Sequence, residues 1–385
     1  MPPRVAPLLL LLLPNLFLAL AAPTTIRNDV PRRDTDGDII SAGDGCISYQ
    51  PFEQLYYLFG AHYQPCAEPD DDCYCGGGHG GMAGCGPCET VGFVEEGRCC
   101  GWRNATIAAW SSPDLLTWRK EGLNILPLAT ANPASPLSSN YGAIFEPCGV
   151  FNAKTNFWHL FFLRDGYTLA RAVARTAAGP FHVLEWAVPI AGFNRVVDFY
   201  FWQEVNGSLK MKHNGGGGES AMVLAEDYLS FTGASAIFGK ELGYTEGGGI
   251  FTYGGKTYVM AGYGCCFCTL GSNGFLWGAD SVLGNYTLLG DFVPRNKDGS
   301  SVTHAQQFSV TPVYTASGVV PMMIGIRFGS APDYVKSHDY QFVRAPVCPS
   351  RSHLHARTRT ALYSARTPPR LPLLAPLHAV VPAEL

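Results

Sequence analysis

A polar residue stands at the head of an apolar strand five times in this chain, and each time a turn and a second apolar strand follow. The stretches are DGCISYQPFEQLYYLF from Asp44, EPCGVFNAKTNFWHLFF from Glu146, DFYFWQEVNGSLKMK from Asp198, EGGGIFTYGGKTYVMAG from Glu246 and QQFSVTPV…VVPMMIG from Gln306. The steps between them are 102, 52, 48 and 60 residues. The long first step holds a segment crowded with Cys and Gly, and without it the period is about 50 residues, the size of a propeller blade of antiparallel strands. The expected fold is therefore all-β: a five-bladed β-propeller over residues 34–348, with a cysteine-rich insertion at 65–100 in the first blade. In such a fold the innermost strand of each blade lines the axial channel. The five polar heads would then converge at one mouth of it.

Composition agrees with many short strands joined by tight turns: 44 Gly, 22 Phe, 18 Tyr and 7 Trp. Charged residues make up 15% of the chain and the net charge is −4, so no basic face points to nucleic acid. At the start, Arg4 precedes an apolar run from Ala6 to Leu20, and Ala19-Leu20-Ala21 offers a small-residue cleavage site. Pro14 interrupts the run, which is short for a membrane span. Residues 1–21 therefore read as a signal peptide, and the mature chain as an extracellular protein with no membrane attachment.

The cysteines suit an oxidising destination. Eight of the thirteen lie between Cys46 and Cys100. The Cys73/Cys75, Cys85/Cys88 and Cys99/Cys100 spacings can be read as zinc ligands, but disulfides holding an irregular loop are the better reading of an exported chain. The pairing cannot be read from the spacing, and the odd count leaves one thiol over. Sequons at Asn104, Asn206 and Asn285 would mark exposed loops. The last segment, 349–385, is rich in Arg, Pro and Ala without strand alternation, and disorder is expected there.

In order along the chain, DTDGDIISAGDGCI, YYLFG, WSSPDLLTW, EPCGVFNAKTNFWHLFF, ARAVARTAAGPF, EGGGIF and IGIRF resemble segments of family 43 glycoside hydrolases, nearest the exo-β-1,3-galactanase branch. The resemblance covers roughly Asp34 to Val347. It implies a five-bladed propeller that hydrolyses glycosidic bonds with inversion. An acid and a base would then stand about 6.5–9.5 Å apart, with room for water between them. On that resemblance Glu246 is the general acid, Asp198 the carboxylate that orients and tunes it, and Glu146 a sugar-binding residue. Two residues compete to serve the water. Asp44 stands where typical members carry the base, and Gln306 where the galactanase branch carries an assisting glutamine. Asp44 is favoured, because a carboxylate is the better proton acceptor near neutral pH.

Three positions depart from the branch pattern. Gly43 replaces a histidine, Ala61 an acidic residue and Ile326 an aspartate. Trp277 and Tyr263 are further substrate-binding candidates, and Trp158 and Phe328 could also stack on sugar faces, although taken singly each aromatic suits a blade core better. The expected partner is a galactan-like or arabinose-containing polysaccharide, bound by a monomer. No motif demonstrates a cofactor or metal, structural calcium included. Two other classes stay open: a carbohydrate-binding propeller without catalysis, and a retaining fructan or sucrose enzyme with a nucleophilic Asp.

Overall fold

A computed structural model describes residues 32–40, 42–62, 106–127, 144–164, 167–215, 218–243, 245–263, 274–293, 305–315, 318–327 and 339–344, with a few single positions beside them. The signal segment, the 65–100 insertion, the 349–385 tail and Asn104 lie outside the described residues, as does Phe328. Nineteen strands form five antiparallel sheets among the described residues. The first blade is β1 (Gly43–Gln50), β2 (Leu55–His62), β3 (Thr106–Ser112) and β4 (Arg119–Gly122). The second is β5 (Ile144–Asn152), β6 (Phe157–Arg164), β7 (Thr168–Ala174) and β8 (His182–Glu185).

The third blade is β9 (Val197–Gln203), β10 (Leu209–Gly215), β11 (Gly218–Leu224) and β12 (Phe231–Phe238). The fourth is β13 (Thr245–Tyr253), β14 (Lys256–Tyr263), β15 (Phe275–Ala279) and β16 (Thr287–Asp291). The remaining sheet holds β17 (Gln306–Thr315), β18 (Gly318–Arg327) and β19 (Asp339–Arg344). The strands run in chain order within each sheet, as in a propeller. Where the sequence pattern led to five like units, four are complete four-stranded blades and the fifth sheet has three strands among the described residues.

The first strand of every sheet touches the first strand of the next, β1 to β5 to β9 to β13 to β17, and β17 returns to β1. Apolar side chains fill the gaps between these neighbours. Phe59 of β2 packs with Phe151 and Trp158 of the second blade. Phe161 meets Phe201 across the next gap at 4.7 Å, and Trp202 meets Phe251 at 6.2 Å. The seam that closes the ring is made the same way. Leu58, Trp110 and Trp118 of the first blade pack with Met322, Ile324 and Ile326 of β18. Two hydrogen bonds cross it: Thr311 Oγ1 donates to the Ile47 carbonyl at 2.8 Å, and the Tyr314 N–H to Tyr56 Oη at 3.0 Å.

Asp34, Asp36 and Asp38 of the DTDGD segment gather beside β4, where the Lys120 ammonium lies 3.6, 3.2 and 2.7 Å from their carboxylates. The side chain of Lys120 thus supplies the cation that this acidic turn collects.

One disulfide occurs among the described residues, and it joins blades rather than the insertion: Cys46 of β1 to Cys148 of β5. It closes a loop of sequence separation 102. A loop of that length is among those for which cross-linking removes most entropy from the unfolded chain, typically 2–5 kcal/mol in all. The Cys46→Ala/Cys148→Ala variant is expected to melt about 5–10 °C lower. A melting temperature equal to that of the parent would show that the inter-blade packing alone holds this gap.

Candidate active site

Each innermost strand carries one extra residue near its head. In β1 the register passes from Gly43 opposite Ala61 to Cys46 opposite Phe59, so Asp44 and Gly45 form a bulge. Glu146 and Pro147 do the same in β5, and Asp198 and Phe199 in β9. Asp44, Glu146 and Asp198 all have left-handed backbone, with φ of 50°, 55° and 45°. A bulge bends the strand and re-aims a side chain. Here it re-aims three carboxyl groups on three successive blades, two of them buried and Asp198 half-buried.

In β13 the bulge falls one residue later. Gly249 pairs with Met260 as Gly149 pairs with Leu160, so the two strands match through their regular part. The extra residues, however, are Gly247 and Gly248, with φ of 61° and 93°, and Glu246 precedes them opposite Gly262. The likeness of EPCGVF and EGGGIF therefore misleads at its first letter. Asp44, Glu146, Asp198 and Gly247 share one place in their blades, and Glu246 stands just before it. Glycine is required next to these heads on steric grounds. A Cβ on Gly45 would come within 1.8 Å of the Phe59 carbonyl oxygen, and one on Gly248 within 1.8 Å of that of Met260.

The heads connect blade to blade. Glu146 accepts the Phe199 N–H at 3.0 Å and shares a side-chain hydrogen bond with Asp198. Asp198 Oδ2 accepts the Gly247 N–H at 2.6 Å. Gln306 Nε2 of β17 donates to Glu246 Oε2 at 3.2 Å. Asp44 of β1 acts on Glu146 through its charge. Four of the five are buried, Asp44 to 5% exposure and Glu246 to 8%, and Asp198 is half-buried. Glu146 has its pKa raised well above the usual carboxyl value, first by burial, then by the charge of Asp198, the hydrogen bond to it and the charge of Asp44. Burial and the neighbouring carboxylates therefore favour the protonated form of Glu146.

A second network lies directly behind these heads and has no counterpart in the sequence reading. Lys212 of β10 and Glu219 of β11 are fully buried and form an ion pair at 3.1 Å. The Lys212 ammonium also donates to Asn214 Oδ1 and to the Gly247 carbonyl, and lies 3.4 Å from the Asp198 carbonyl. Asn214 Nδ2 donates to Glu219 at 3.0 Å and to the Thr245 carbonyl, while Thr245 Oγ1 donates to Glu219. A signal was present in the sequence. Lys212 and Asn214 alternate on one strand face, and Glu219 returns opposite Asn214 across a glycine hairpin.

Of the aromatic candidates, Trp277 is 1% exposed on β15, the third strand of its blade, and packs against Phe238 and Phe275. It is core, and a sugar cannot stack on it. Trp158 is core as well. Tyr263 ends β14 opposite Thr245, so its backbone lies beside Glu246, but its side chain is outside the described residues. Farther down the channel the walls close in around Ser48, Tyr49, Phe201, Gln203 and Tyr314. The Tyr49 and Tyr314 rings lie 4.4 Å apart there.

No family model matches the chain, and no curated protein matches it. Solved structures do. A family 43 β-1,3-galactosidase aligns at TM-score 0.58 and 16% identity, over 82% of this chain and 59% of its own. The exo-β-1,3-galactanase of Phanerochaete chrysosporium, with galactose, aligns at TM-score 0.56 and 17% identity, over 82% and 63%. That of Clostridium thermocellum aligns at 0.56 and 17%, over 83% and 61%. The chain shares the propeller fold of family 43 glycoside hydrolases. It spans about three fifths of the length of these structures.

Proposed function

We propose that this chain is an exported glycoside hydrolase that cleaves a galactan-like or arabinose-containing polysaccharide with inversion. One observation carries the reading: Asp44, Glu146, Asp198, Glu246 and Gln306, from five separate sheets, meet around one mouth of the channel. A set of carboxyl groups in which burial and like charge drive one towards its protonated form suits chemistry that needs an acid and a base at once. The fold likeness to β-1,3-galactan-acting enzymes supports the substrate class. In this reading the three-stranded sheet is the fifth blade, the enzyme works as a monomer without a redox cofactor, and residues 1–21 direct export.

Glu246 protonates the departing oxygen. Gln306 steadies it through the 3.2 Å hydrogen bond, and Asp198 fixes the adjoining Gly247 peptide from the other side. Asp44 accepts the proton of the attacking water. Glu146, being neutral, offers hydrogen bonds to Asp198 and to a sugar hydroxyl rather than charge. Gln306 gives its N–H to the acid, and the carboxylate of Asp44 is the better proton acceptor for the water.

The test is a pair of variants on aryl glycosides and β-1,3-galactan, with the first-formed anomer followed by NMR. Asp44→Asn is expected to lower kcat about 10²–10⁴-fold whatever the leaving group, and Gln306→Ala by less. Full activity in Asp44→Asn with a dead Gln306→Ala would hand the water to Gln306. A retained anomer would overturn inversion. A binding propeller without catalysis is the second reading. It is favoured by Ala61 and Ile326, which stand opposite Gly43 and Gln306, wholly buried and apolar, so that two polar positions are missing from the mouth. Binding of β-1,3-galactotriose with no hydrolysis by the unaltered protein would establish it.

A further inference from the structure

Burying an ion pair out of reach of water costs several kcal/mol per charge, repaid only by close pairing and by further hydrogen bonds. Lys212 and Glu219 have 0% exposure, and every bond they make besides their own pairing goes to β9, to the Asn214 side chain or to the head of β13. Two of those bonds bracket Glu246, and Asn214 and Asp198 add one each. Thr245, just before it, is held by its hydroxyl on Glu219 and by its carbonyl on Asn214. Gly247, just after it, has its carbonyl on Lys212 and its N–H on Asp198.

The bracketing answers a need peculiar to β13. Gly247 and Gly248 both have left-handed backbone, and neither has a side chain to restrict it. Two adjacent glycines beside a proton donor would leave its direction loose. Elsewhere the corresponding bulge places hold Asp44 with Gly45, Glu146 with Pro147, and Asp198 with Phe199, so in each at least one side chain limits the backbone.

We infer that Lys212 is a positioning residue that, paired with Glu219, clamps the peptides on both sides of Glu246 and sets its direction relative to Asp198. The charged groups around it are Glu219 on β11, with which it pairs, and Asp198 on β9, whose carbonyl it approaches and whose charge acts on Glu219. Glu146 lies one contact farther on through Asp198, and Asp44 acts on Glu146 in turn. His213, next along β10, packs on Phe193 at 4.5 Å and points to the opposite side of the strand. The inference rests on the hydrolase reading, and Lys212 itself touches no substrate.

Lys212→Met alone would leave Glu219 buried without its cation, so the informative protein is Lys212→Met/Glu219→Gln, in which both charges go and the volume stays. Two readouts apply to the folded double variant. The Gly247 amide should exchange with solvent about tenfold faster or more, while the amides of β1 and β5 keep their protection. On glycosides with poor leaving groups kcat should fall about tenfold or more with KM within about twofold, with a smaller loss on activated aryl glycosides and a shifted limb of the pH profile. Unchanged Gly247 exchange, or an unchanged pH profile and kcat, overturns the inference. Should the parent protein hydrolyse nothing, the hydrolase reading fails, and Gly247 exchange alone decides whether the clamp exists.

Discussion

Glu246→Gln is expected to abolish cleavage of glycosides with poor leaving groups and to spare, in part, those whose leaving group departs without a proton. The amide keeps the size of the side chain and can still accept from Gln306 Nε2, so the mouth should stay assembled. What it loses is the proton, a contribution of about 10²–10⁴ in rate. Stopped-assay kinetics on an alkyl and an activated aryl galactoside give the ratio directly. Equal losses on both substrates would mean that Glu246 binds sugar and protonates nothing. Unaltered rates on both would remove it from the chemistry.

The second large effect is on stability in acid. His159 and His213 are buried to 3% and 0% exposure, and both imidazoles titrate only at about 4 in the folded protein. Burial is the main cause for each. The Arg171 guanidinium adds to it at His159 and the Lys212 ammonium at His213. An unfolded histidine takes its proton near pH 6.5. Between about 6.5 and 4 the unfolded chain therefore binds protons that the folded one refuses, and stability falls as pH falls, by up to about 3 kcal/mol for each histidine.

Like Glu219, whose pKa is also raised by burial, Glu146 works in the opposite sense. Its folded pKa is raised, so its contribution is complete below the usual carboxyl value and is lost as pH rises. It offsets part of the histidine loss on the way down and nothing further below about pH 4.5. Denaturant titrations at pH 7 and pH 4.5 should show His159→Leu/His213→Leu keeping several kcal/mol more of its pH 7 stability than the parent does. Equal losses in the two proteins would assign the acid sensitivity to other groups.

The blades were legible because apolar strand pairs and glycine-rich turns recur at a regular spacing, and a strand head keeps its place whatever its side chain. Register at the head was not legible. EPCGVF and EGGGIF look superimposable, yet one bulge begins at Glu146 and the other at Gly247: the first bulge residue is left-handed, a conformation open to Gly247 and closed to Pro147 at the matching letter. Trp277 was misplaced for a different reason. An aromatic on the third strand has the same alternation whether it faces a neighbouring blade or a ligand, and only packing on Phe238 and Phe275 separates the two. Lys212 was passed over because a lysine in a strand ordinarily marks a wet face. The disulfide could not be assigned from spacing, as its two cysteines lie on different blades.

The left-handed backbone at Asp44, Glu146 and Asp198 bears on how this chain could change over generations. A residue with a Cβ in that conformation costs about 1–2 kcal/mol, which a glycine would relieve. Blade four already carries that solution in Gly247. Replacing any of the three carboxyl residues with glycine would also remove an acid from the crowded ring, so the substitution is open to drift and rewarded by a firmer fold. A lineage that kept the propeller only as a scaffold would be free to make the exchange. Three strained acids in one ring are what is left when a cost to folding is held in place by something that the acids do.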